Sequence, residues 1–149
     1  LGCQQIQVVG RNPEKLKIFY QSWAGSPLEG LVTIYPWEDL ATLSPHADLV
    51  VNTTPIGMTP EIQSSPLELL GSSYPPSGIS PSIASLKPGA IAYDLIYNPA
   101  KTLFLQQAEQ QQAIILNGLE MLVHQGAAAL EIWLGHPAPI AIMQKSLSI

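Results

Sequence analysis

Three stretches place polar or conformationally special side chains where an apolar run ends. In Val8-Val9-Gly10-Arg11-Asn12-Pro13, a planar cation follows a glycine and precedes an Asn-Pro pair. Arg11 there reads first as a solvated residue of an ordinary turn; it also suits a phosphate group, because a guanidinium offers several N–H donors in one plane. In Asp48 to Met58, the run Leu49-Val50-Val51 passes into Asn52, Thr53 and Thr54, then Pro55 and Gly57. Those hydroxyl and amide groups can line a ligand at the end of a strand, or close a turn on their own backbone. In Tyr93 to Pro99, Asp94 interrupts an apolar run, and a carboxylate there needs partners. Asn98-Pro99 closes that run and leaves Tyr97 at its edge.

The fourth stretch, Asn117 to Gly135, has helical periodicity. At about 100° per residue, Leu119, Leu122, Val123, Ala127, Leu130, Trp133 and Leu134 fall on one stripe. Glu120, His124 and Glu131 share the opposite, wet face. Gly118, Met121 and Gln125 fall together on a third side. A glycine there lets a ligand approach the backbone, and a glutamine offers both donor and acceptor to a hydroxylated substrate. A helix-boundary glycine and a surface glutamine fit the same pattern. His46, His124 and His136 show no metal-ligand spacing, among themselves or with Cys3. The sequence has no G-x-S-x-G, H-E-x-x-H, P-loop or G-x-G-x-x-G.

The elements that must hold these residues alternate. Apolar, β-branched runs at 5–10, 31–35, 47–52, 90–96 and 113–116 read as strands. Most lack strict polar alternation, as expected of parallel strands covered on both faces. Between them come helices. Asn12-Pro13-Glu14 is a start signal, with N-cap, proline at the first helical position and an acid near the positive helix end. That helix runs to about Trp23; a short one follows Trp37-Glu38-Asp39, and others cover 102–112, 119–134 and the chain from Pro139. Alternation of this kind predicts an α/β, doubly wound, mostly parallel sheet. The Pro- and Ser-rich stretch from Thr53 to Pro88 is expected to be a surface loop with one or two short helical turns.

Composition narrows the function classes. The 149 residues carry a net charge of −5, with hydrophobic residues at 46% and charged ones at 11%. A charge-poor chain of this kind is neither a disordered tail nor a coiled coil, and its acidity argues against nucleic acid and anionic membranes as partners. No apolar run approaches the roughly 18–20 residues that span a bilayer. The lone Cys3 makes no internal disulfide and fits a cytoplasmic setting.

Taken together, these motifs resemble the carboxyl-terminal, cofactor-binding domain of the shikimate dehydrogenases. VVNTTPIGM (Val50–Met58), YDLIYNP (Tyr93–Pro99) with Thr102 and Phe104, and NGLEMLVHQGAAALEIW (Asn117–Trp133) stand in that family's order and approximate spacing. The resemblance implies a Rossmann-like fold and an oxidoreductase that reduces 3-dehydroshikimate to shikimate with NADPH, on the route to chorismate and the aromatic amino acids. It implies that Gly10, Arg11 and Asn12 form the loop for the adenosine 2′-phosphate of NADP, although Gly10 and Asn12 depart from the commoner Asn-Arg-Thr. It places Thr53, Thr54 and Pro55 beside the cofactor's phosphates and nicotinamide ribose, and Leu95, Gly118 and Met121 near the nicotinamide. Tyr97 and Gln125 correspond to the residues this domain lends to shikimate.

The family's Lys and Asp that handle the proton belong to an amino-terminal substrate domain, and no residue of this chain matches them. Lys15, Lys17, Lys87, Lys101 and Lys145 stand in other segments. The family's first Rossmann strand and Gly-rich turn also have no counterpart, and Leu1-Gly2-Cys3 reads as the approach to the second strand. The expectation is therefore a partial NADP-binding domain over 1–149 that needs the amino-terminal domain for turnover, with no catalytic residue and no metal site of its own. A quinate/shikimate dehydrogenase, or a non-catalytic nucleotide-binding module derived from such an enzyme, is the alternative.

Overall fold

A computed structural model describes residues 2–68 and 83–147. Along them run five strands and five α-helices: β1 (Ile6–Gly10), α1 (Pro13–Gln21), β2 (Val32–Pro36), α2 (Leu40–Leu43), β3 (Leu49–Asn52), β4 (Ile91–Asp94), α3 (Leu103–Gln110), β5 (Ile114–Leu116), α4 (Leu119–Leu134) and α5 (Ile140–Leu147). All pairing within the sheets is parallel. The strands form two sheets, β1–β2 and β3–β4–β5. Consecutive parallel strands that neighbour one another in this way are the building pattern of a doubly wound sheet. The fold is α/β with the order of elements expected from the sequence.

The chain divides into two compact units, residues 1–46 with 67–85, and residues 47–66 with 86–149. In the first, Ile6 to Gly10 pair residue by residue with Val32 to Pro36, and α1 packs on this ribbon through buried Leu16. Helix α1 begins as its sequence predicts. The Asn12 side chain accepts a hydrogen bond from the Lys15 amide at 2.9 Å, and Pro13 occupies the first turn. A Cβ on Gly10 would stand 3.0 Å from Leu16 Cδ2, so glycine lets the helix settle against the strand end.

In the second unit, register stacks Val50, Ala92 and Ile115 on one face of the sheet and Leu49, Ile91 and Ile114 on the other. Helix α3 covers β4 and β5 with Phe104, Leu105 and Ala108, all buried. The expectation of strands covered on both faces is corrected here. Leu49 and Ile114, on the face opposite buried Ala92, are 51% and 57% exposed. The apolar stripe of α4 is likewise only half used. Val123 and Ala127 are buried, whereas Trp133 is 78% exposed and Leu134 is also open.

The described parts of the 53–88 stretch contain turns and an isolated bridge, Glu68 to Ile83, with no helix. The stretch is not purely surface: Ser65, Leu67, Ala84 and Leu86 are buried. Pro75, Pro76 and Pro81 lie outside the described residues. Among the described residues no helix is long and apolar enough to cross a membrane.

Candidate functional site

The carboxyl ends of β3 and β4 are tied together by a buried carboxylate. Asp94, fully buried, accepts hydrogen bonds from Asn52 Nδ2 at 3.1 Å and the Ile96 amide at 3.1 Å on Oδ1, and from Thr102 Oγ1 at 2.5 Å on Oδ2. The partners demanded by a carboxylate in an apolar strand are therefore present. Thr102 in turn caps α3, its hydroxyl oxygen accepting from the Leu105 amide at 3.4 Å. Burial pushes the Asp94 carboxyl above the ordinary aspartate range, with the bonds from Thr102, Ile96 and Asn52 opposing that rise.

Asn52 resolves the ambiguity of the Asn-Thr-Thr run. Its Oδ1 accepts from the Thr54 amide at 3.0 Å and the Thr54 hydroxyl at 2.7 Å, while Nδ2 also donates to the Ile56 carbonyl at 3.2 Å. The Thr54 hydroxyl accepts from the Ile56 amide at 3.2 Å. Asn52 and Thr54 thus close the turn, and the exposed Thr53 side chain remains available at the surface. Gly57 completes the turn at φ +95°, a left-handed conformation in which a Cβ would also meet the Ser64 carbonyl at 3.1 Å.

Around this scaffold lies a cavity of about 480 Å³, lined by Thr53, Thr54, Pro55, Met58, Thr59, Leu95, Ile96, Tyr97 and Asn98. Five of the sequence-predicted site residues meet there: Thr53, Thr54, Pro55, Leu95 and Tyr97. Tyr97, one of the lining residues, is 50% exposed. Sequence reasoning did not single out Met58 or Thr59 as lining residues; their place beyond the Pro55–Gly57 turn is the signal that would have found them.

Gly118, Met121 and Gln125 belong to the start of α4 and do not line that cavity. Gly118 has a reason that its sequence context does not reveal. A Cβ on it would lie 2.0 Å from the Leu95 carbonyl oxygen, so protein backbone occupies the space a side chain would need. Its amide donates to the Ile96 carbonyl at 3.1 Å, fixing α4 against the wall of the cavity. Asn117, just before the Gly118 N-cap, accepts from the Leu119 amide at 3.1 Å and donates to the Ala100 carbonyl at 3.0 Å. Met121 is half-buried; Gln125 is exposed, as are Glu120 and His124 on the wet face. The His124 Nε2 to Glu120 separation is 3.7 Å.

Within the first unit, Gly10, Arg11 and Asn12 form the step from β1 into α1. Arg11 is exposed and makes no ion pair among the described residues. Its guanidinium carbon lies 5.8 Å from the centroid of the Trp37 ring. A cation beside a helix N-terminus, with no carboxylate on it, is chemically matched to a phosphate.

A parallel α/β framework with a cavity at its strand ends defines a Rossmann-like protein. Comparison with known proteins narrows that class. Residues 118–147 match the family model "Shikimate 5'-dehydrogenase C-terminal domain". Over 147 residues the sequence is 50% identical to the shikimate dehydrogenase (NADP(+)) of Gloeothece citriformis, covering 99% of this chain and 47% of that protein. The Microcystis aeruginosa enzyme of the same name is 47% identical over 99% of this chain and 48% of its own length. A crystal structure of shikimate 5-dehydrogenase from Listeria monocytogenes, in complex with shikimate and NAD, superposes with a TM-score of 0.75 at 27% identity, over 97% of this chain and 47% of that one. The chain is similar in sequence and fold to one half of the shikimate dehydrogenases, and spans about half the length of these relatives.

Proposed function

We propose that this chain is the cofactor-binding half of an NADP-dependent shikimate dehydrogenase, working in the cytoplasm with an amino-terminal substrate domain to reduce 3-dehydroshikimate to shikimate. The observation that carries the reading is sequence similarity over 99% of the chain to enzymes of that name. NADPH, when bound, supplies the hydride. The chain's own residues bind and orient. Arg11 takes the 2′-phosphate, flanked by Gly10 and by Asn12 at the start of α1. Thr53, Thr54 and Pro55 run beside the phosphates and the nicotinamide ribose. Leu95, Gly118 and Met121 form the wall at the nicotinamide end, and Tyr97 and Gln125 hold ring hydroxyls of shikimate. No residue of this chain is assigned the accompanying proton transfer, which falls to the substrate domain.

The Arg11 assignment has a physical basis beyond similarity. An exposed guanidinium without an internal carboxylate partner keeps its N–H donors for a ligand. The Asp94 network serves the same end by holding the strand ends that carry Thr53 and Tyr97. The test is a steady-state assay of the full-length gene product with 3-dehydroshikimate and either NADPH or NADH. NADPH-dependent reduction is expected, and Arg11→Asp should lower the NADPH-to-NADH ratio of kcat/KM by about 10- to 100-fold, the worth of a charge-assisted hydrogen bond. No reduction of 3-dehydroshikimate would overturn the substrate assignment, and an unchanged ratio would remove Arg11 from the cofactor site.

A further inference from the structure

We infer that Trp37 is a positioning residue for Arg11, and through it a determinant of NADPH preference; the inference rests on the 2′-phosphate reading above. Register puts the two residues in equivalent places. Gly10 pairs with Pro36 at the ends of two adjacent parallel strands, so Arg11 and Trp37 are each the first residue beyond the sheet. Trp37 opens a short 3₁₀ turn, Trp37–Asp39, directly after extended Pro36. The indole is half-buried there, and its Nε1 is shielded from solvent with no acceptor among the described residues. What the indole offers its surroundings is therefore its ring face, with the Arg11 guanidinium over it at 5.8 Å.

That contact matters because of what else surrounds Arg11. Glu14 is near Arg11 in sequence, and Glu38 and Asp39 directly follow Trp37, yet none forms an ion pair with Arg11 among the described residues. A carboxylate partner would consume guanidinium N–H donors and would repel a phosphate. An aromatic face does neither: it attracts the cation through its quadrupole and leaves the donors free. An exposed arginine otherwise loses substantial rotamer entropy on gripping a ligand. The indole restricts the side chain beforehand, so less of that entropy remains to be lost when a phosphate binds. NADH carries no 2′-phosphate, so the benefit applies to NADPH alone.

The test compares Trp37→Leu and Trp37→Phe in the full-length gene product, each alone and with Arg11→Leu. Trp37→Leu keeps apolar bulk and loses the ring; Trp37→Phe keeps a ring face, and no hydrogen bond from Nε1 is at stake. The NADPH-to-NADH ratio of kcat/KM should fall ~2- to 5-fold in Trp37→Leu, the worth of an exposed cation–π contact. The loss should sit in KM for NADPH. Trp37→Phe should restore most of the ratio, and Trp37→Leu should have no further effect once Arg11 is leucine. If Trp37→Leu does not yield folded protein, Trp37→Met takes its place. An unchanged ratio in the ring-less variant, with Arg11→Leu still lowering it, would overturn this inference and leave the phosphate reading standing. An equal fall in Trp37→Phe would also overturn it, by showing that packing and not the ring is at work. If Arg11→Leu itself leaves the ratio unchanged, the phosphate reading falls and the role of Trp37 falls with it.

Discussion

Replacing Asp94 tests whether one buried carboxylate holds the cavity together. Asp94→Ala removes the acceptor for three donors on different elements. The Ile96 amide and the Thr102 hydroxyl lose the partners they have in the structure, whereas Asn52 Nδ2 keeps the Ile56 carbonyl. An orphaned buried donor costs ~1–3 kcal/mol, and removing the carboxylate also removes its own desolvation penalty, so the net destabilisation should be on the order of 3 kcal/mol. Asp94→Asn preserves the shape and Oδ1, and its amide can donate to the Thr102 oxygen; it should cost about 1 kcal/mol at neutral pH. Urea unfolding of the full-length protein, followed by circular dichroism, measures both. The pH dependence supplies an independent check. A carboxyl raised above 3.8 in the folded state favours folding fully below the unfolded value and loses that contribution as pH rises through the folded value. The wild-type advantage over Asp94→Asn should therefore shrink as pH rises from about 4 toward neutrality. An alanine variant as stable as the asparagine one, or an advantage that grows with pH, would refute the network as described.

Other substitutions probe the rest of the framework. Gly118→Ala forces a Cβ to within 2.0 Å of the Leu95 carbonyl oxygen; the backbone must move, and a loss of about 3 kcal/mol in urea unfolding is expected, at the upper end of overpacking costs. A loss below 0.5 kcal/mol, estimated as an ordinary surface change, would show that the approach is looser than described. Asn12→Ala should cost about 1 kcal/mol through the lost cap, and thermal unfolding at an unchanged midpoint would show that Lys15 needs no cap. Gln125→Ala should raise KM for shikimate by ~3- to 10-fold, as for a lost neutral hydrogen bond, with a smaller change for NADP; equal changes for both would remove it from the substrate site.

Much of the fold was legible because its signals are local. Asn12-Pro13 starts α1, and Gly135 in the left-handed conformation ends α4 where the sequence indicates. The strands appear in the expected places because β-branched runs of that length have few other options. Burial was less legible. Leu49-Val50-Val51 carries no polar alternation, yet one of its faces is open, since coverage depends on elements that the run itself does not encode. The site was partly legible as well. Asp94 announced a need for partners without naming Asn52 and Thr102, which are 42 and 8 residues away in sequence. Gly118 could be marked as special, but only the folded chain shows that Leu95 is its reason. Trp37 carried no signal beyond a helix start; its ring contact with Arg11 comes from strand register.

The joint between Leu95 and Gly118 also bears on motion. With no side chain between the two backbones, and with the Gly118 amide bonded to Ile96, the start of α4 and the wall of the cavity have no slack between them. A substitution that shifts the Leu95 carbonyl must therefore shift the first turn of α4 as well. Helix α5 is in turn tied back onto α4 beyond Gly135, with the Ala138 amide donating to Glu131 at 2.9 Å and Gln144 Nε2 donating to Glu120 at 2.9 Å. The missing methyl of Gly118 thus joins the wall of the cavity to α4 and, through α4, to α5.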